Sequence, residues 1–88
     1  MSPSHPTVVF AYSEVGARCL AALLEAGVDV RLVVTHEDDP HEVRWFASVA
    51  EVAARAGVPT VTPEDPADPD LVGRIAAIQP EFVFSFYY

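Results

Sequence analysis

Four short apolar runs, each parted from the next by a stretch with helical spacing, are the feature that most limits how this chain can fold. The first, Thr7 to Tyr12, reads Thr-Val-Val-Phe-Ala-Tyr and lacks polar alternation, as expected of a strand covered on both faces. Glu14 to Ala26 follows as a predicted helix, with Gly16, Leu20, Leu23 and Leu24 at helical intervals and Gly27 placed to end it in a left-handed conformation. Val28 to Thr35 is β-branched and predicts a second strand, which runs out into the polar loop His36 to Pro40. Pro40 to Ala56 predicts a second helix on the stripe Phe46, Val49, Val52, Ala53 and Ala56, with Gly57 as its stop. A brief third strand, Thr60 to Thr62, lies between Pro59 and Pro63, and proline on both sides suits a sheet edge. Leu71, Ile75 and Ile78 then mark a third helix, capped by Asp68 with Pro69 in its first turn and ended before Pro80. Phe82 to Tyr88 closes the chain as its most β-prone run.

Strands alternating with helices imply a parallel sheet with right-handed helical crossovers. The expected class is α/β: a Rossmann-like parallel sheet of order 3-2-1-4 with helices on both faces. In that order the strand sequence reverses between the first and fourth strands, and ligands bind outside the carboxyl ends of the strands at such a reversal. Those ends are Tyr12-Ser13-Glu14 and Ser85-Phe86-Tyr87-Tyr88. A fourth strand this apolar would stand as a bare edge, which predicts self-association through it and suggests that residues 1–88 form a single partial domain whose remainder lies beyond Tyr88.

Composition removes several function classes. Thirteen acids face five bases, all arginine, so the net charge is −8. Phosphate recognition draws on clustered positive charge, so nucleic acid is not expected as a direct partner, nor is an anionic membrane surface. A lone Cys19 cannot form a disulfide within the chain, and Met1 to Pro6 carries no basic stretch and no long apolar run, which together predict a cytoplasmic protein.

Each candidate site has a structural reading beside the chemical one. His36, Asp38, Asp39 and His41 resemble a metal-binding cluster, but Asp39 as N-cap, Pro40 at the first helical position and Glu42 at the third account for three of the loop's residues by capping. No metal site is expected. Tyr12-Ser13-Glu14-Val15-Gly16 occupies the place of a dinucleotide glycine triplet and lacks it; Gly16 reads instead as a point of close helix-to-sheet packing. A phosphate loop and a receiver domain both need a lysine, which the chain does not contain. Cys19 is expected to be a buried, inert thiol, and Trp45 and Phe46 to be packing residues. Tyr87 and Tyr88, at the end of a central strand, read equally as strand composition or as the wall of a pocket for a flat ring.

Val8-Val9-Phe10-Ala11-Tyr12, Gly16, Leu23-Leu24-Glu25-Ala26-Gly27, Thr35-His36, Ser48-Val49-Ala50, Gly57-Val58-Pro59 and Phe84-Ser85-Phe86-Tyr87-Tyr88 form a co-linear set over essentially the whole chain. That set resembles the start of the 10-formyltetrahydrofolate-dependent formyltransferases, above all the formyltransferase domain of the bifunctional aminoarabinose-modifying enzymes. Methionyl-tRNA formyltransferases are similar in fold, but their first loop looks like Gly-Thr-Pro-Asp-Phe where this chain has Tyr12-Ser13-Glu14-Val15-Gly16. The resemblance implies transfer of a formyl group from 10-formyltetrahydrofolate to a small-molecule amine, that of a nucleotide-linked amino sugar. It also implies an asparagine, a histidine and an aspartate after the fourth strand, as oxyanion stabiliser and acid-base groups. The chain has no asparagine, and His5, His36 and His41 all precede that point, so no catalytic residue is assigned here. Tyr12, Ser13, Tyr87 and Tyr88 are the expected wall of the substrate or cofactor pocket. The other reading is a non-catalytic α/β module that binds a small ligand or a partner protein in the same crevice.

Overall fold

The computed structural model describes residues 5–37, 47–65 and 67–88. Its elements are β1 (Thr7–Ala11), α1 (Ser13–Glu25), β2 (Val30–Val34), α2 (Val49–Arg55), β3 (Thr60–Val61), α3 (Pro69–Ile78) and β4 (Phe82–Phe86). All neighbouring strands pair in parallel, in the order β3-β2-β1-β4, so the expected α/β Rossmann-like topology is the one observed.

Because side chains alternate along a strand, β1 and β2 feed both faces of the sheet. Val9, Ala11, Val30 and Val33 meet Ala17 and Leu20 of α1 and Val49 and Ala53 of α2 on one face. Val8, Leu32 and Val34 meet Leu71 of α3 on the other. β1 and β2 are thus buried on two sides, which is why their sequence shows no polar alternation.

The helix ends follow local chemistry. Gly27 and Gly57, with φ of 80° and 72°, stop α1 and α2 in the left-handed region that glycine enters at no steric cost. Asp68 caps α3 through a 2.8 Å bond from the Asp70 N–H, with Pro69 at the first turn. α2 departs from expectation. Ala47 and Ser48 lie outside it, so no helix runs unbroken from Pro40, and Ser48 caps it by accepting from the Glu51 N–H at 3.1 Å. Ser48 and Glu51 have the Ser-x-x-Glu spacing of a capping box, a stronger local start signal than the apolar stripe that ran through it. The capping role of Asp39, Pro40 and Glu42, the loop members Asp38 and His41, and the packing roles of Trp45 and Phe46 lie outside the described residues. Cys19 is half-buried rather than buried, because it sits at the margin of the α1 stripe that faces the sheet.

Candidate functional site

β1 and β4 leave the sheet side by side. Their register runs from Thr7 against Phe82 to Ala11 against Phe86, so Tyr12 and Tyr87 are the first residues past the last pair. Both strands end in strained backbone: Ser13 has φ 64° and Tyr87 has φ 60°. A left-handed conformation is costly for a residue with a Cβ, about 1–2 kcal/mol each. The third such residue, Gln79, has a local explanation as the left-handed C-cap of α3. Ser13 and Tyr87 have no capping role, and strain of this kind concentrates at binding and catalytic sites.

At Ser13 the chain turns sharply from β1 into α1, which begins with no side-chain cap on Tyr12. Gly16 makes that turn feasible. A Cβ there would lie 3.1 Å from the Phe86 carbonyl oxygen and 3.2 Å from the Ala11 carbonyl carbon and Cβ, so only glycine lets α1 settle against the ends of β1 and β4. Phe86 also accepts from the Tyr12 N–H at 3.2 Å, tying the two strand ends together.

On the α3 face the crevice is lined by rings. His36, two residues past β2, reaches over the end of β1 and stacks on Tyr88 with centroids 4.2 Å apart and planes at 22°. Tyr12 meets His36 edge-on at 5.0 Å, and Phe10 meets Tyr88 edge-on at 5.4 Å. His36 Nε2 lies 2.8 Å from the Tyr88 main-chain oxygen. That oxygen can only accept, so Nε2 carries the proton and donates. Two hydroxyls beside these rings, Tyr88 Oη and Thr35 Oγ1, are buried without a hydrogen-bond partner among the described residues. Orphaned buried hydroxyls are uncommon, and each is a point at which a ligand can bond.

A cleft of about 220 Å³ adjoins this cluster, lined by His36, Glu37, Thr62, Pro63 and Glu64. Its two exposed carboxylates make it a weak attractor for a cation and a poor one for an anion. A larger hollow of about 420 Å³ lies between β3 and the start of α3. Its Asp68 is already engaged as the α3 cap, and it is away from the reversal of strand order, so it carries less weight as a site.

The four residues expected from sequence are therefore gathered at one crevice, with Tyr12, Ser13, Tyr87 and Tyr88 at the joined ends of β1 and β4. Tyr87 is the most open, at 73% exposure. Tyr88, by contrast, turns inward to pack on Phe10 and His36. His36 is the member that sequence reading missed, having been grouped with the loop acids that follow it. Its place was implied by the strand order, which sets the ends of β2 and β4 on either side of β1. No group of three or more potential metal ligands occurs among the described residues. No helix among them is long and apolar enough to cross a membrane. No protein-family model matches the chain.

Proposed function

We propose that this chain is the N-terminal, pocket-bearing part of a cytoplasmic formyltransferase that moves a formyl group from 10-formyltetrahydrofolate to the amine of a nucleotide-linked amino sugar. The observation that carries this reading is the crevice at the reversal of strand order, where two strained non-glycine residues, Ser13 and Tyr87, flank the stacked rings of His36 and Tyr88. Flat aromatic walls suit a nucleobase or a pterin. The carboxylates of Glu37 and Glu64 suit a protonated amine waiting to be deprotonated for attack. On this reading the 88 residues are inactive alone, because they hold no asparagine and no histidine after β4 to stabilise or protonate a tetrahedral intermediate.

The test is a chimera in which the chain is joined after Tyr88 to the catalytic remainder of an aminoarabinose formyltransferase domain. The expected result is release of tetrahydrofolate in the presence of the amino sugar nucleotide, with none from the 88 residues alone. A chimera that folds, as judged by circular dichroism, yet transfers no formyl group would overturn the reading in favour of a non-catalytic ligand-binding module.

A further inference from the structure

The two edges of the sheet are built very differently. β3 is two residues long and lies between Pro59 and Pro63, so it offers little to an incoming strand. β4 is five residues long, bears no charged side chain, and exposes Phe82 and Val83 by 48% and 55%. Phe86 uses its carbonyl to accept from Tyr12 on the β1 side, so the alternate residues Val83 and Ser85 direct their N–H and C=O groups to the open edge. Phe82, Phe84 and Phe86 stack along one face, with successive centroids 6.1 and 5.7 Å apart.

We propose that β4 pairs antiparallel with β4 of a second copy about a two-fold axis at Phe84. The occupant follows from the pattern Phe-x-Phe-x-Phe, which reads the same in both directions. In this register Val83 exchanges main-chain hydrogen bonds with the second copy's Ser85, and Ser85 with its Val83, matching the groups left at the edge. Phe84 then faces itself, and Phe82 faces the second copy's Phe86, all at non-hydrogen-bonded positions where side chains approach most closely. Shifting the strands by two residues either way would oppose Phe82 with the second copy's Phe84, or Phe84 with its Phe86, and lose a phenylalanine pair. Such shifts would also run the ladder into Pro80 or into left-handed Tyr87. A chain of net charge −8 resists association, but nothing charged lies between Phe82 and Tyr88, so this edge brings no carboxylates face to face. Since β3 cannot serve as acceptor, the contact closes as a dimer instead of growing into a stack.

Sedimentation equilibrium on the 88-residue chain tests this. The wild type should form a concentration-dependent dimer and nothing larger. Phe84→Glu and Phe84→Lys should each weaken self-association at least about tenfold, because like charges would then face one another across the axis. An equimolar mixture of the two should dimerise again as a one-to-one heterodimer. Ser85→Pro, which removes an edge N–H without touching the phenylalanines, should also lose the dimer and covers the case in which a charge at residue 84 prevents folding. A wild type that stays monomeric, single variants that dimerise as the wild type does, or open-ended oligomers would each overturn the proposal.

Discussion

Val8 and Val83 are register partners on β1 and β4, carry the same side chain and point to the same face of the sheet, yet the first is wholly buried and the second is 55% exposed. The contrast extends along the strands: β1 is buried at four of its five residues, whereas β4 is buried at none. β4 is nonetheless as apolar as β1, with three phenylalanines and a valine. Burial here is decided by position in the sheet, since β1 has a strand on both sides and helices on both faces. Hydrophobicity at β4 therefore marks surface available for contact, while at β1 it marks core. Where the two strands end together, the rigid member and the open member combine into the crevice.

Mutation can break the comparison at its strongest point. Val8→Ala should cost about 2–3 kcal/mol of stability in urea denaturation, from lost burial and the cavity left between β2, β4 and α3. A loss under about 1 kcal/mol would mean that β1 is not the centre of the core. Gly16→Ala sharpens the account of the strand ends. Crowding against the Phe86 carbonyl and Ala11 costs about 1–3 kcal/mol, partly offset by the better helix propensity of alanine, leaving a net loss of about 1 kcal/mol. A stabilised Gly16→Ala protein would show that α1 does not rest closely on β1 and β4. Val83→Ala, measured at a concentration where the chain is monomeric, should change stability by less than about 0.5 kcal/mol.

Much of this was legible in the sequence because burial on two sides leaves an unbroken apolar signature, as in Thr7 to Ala11 and Val30 to Val34. Proline on both sides of Thr60 and Val61 identified the edge strand, and Asp68-Pro69 fixed the start of α3. The start of α2 was misplaced because an apolar stripe reports which side of a helix is buried and says little about where it begins. The capping pair Ser48 and Glu51 held that information. At the crevice, Tyr12, Ser13, Tyr87 and Tyr88 could be named from the strand ends alone, since topology places them. His36 could not, because its role depends on reaching over β1 to Tyr88, a contact 52 residues away in sequence. Nor could the left-handed backbone at Ser13 and Tyr87, which tertiary packing imposes on residues that do not favour it.

The central claim is that the joined ends of β1 and β4 form a ligand site. Amide chemical-shift mapping of the isotopically labelled chain, titrated separately with 5-formyltetrahydrofolate and a uridine diphosphate-linked amino sugar, tests it most directly. The account predicts that at least one of the two moves the resonances of Tyr12, Ser13, His36, Tyr87 and Tyr88 as a group while those of β3 and the start of α3 stay still. Shifts confined to the hollow between β3 and α3, or none with either ligand, would contradict it.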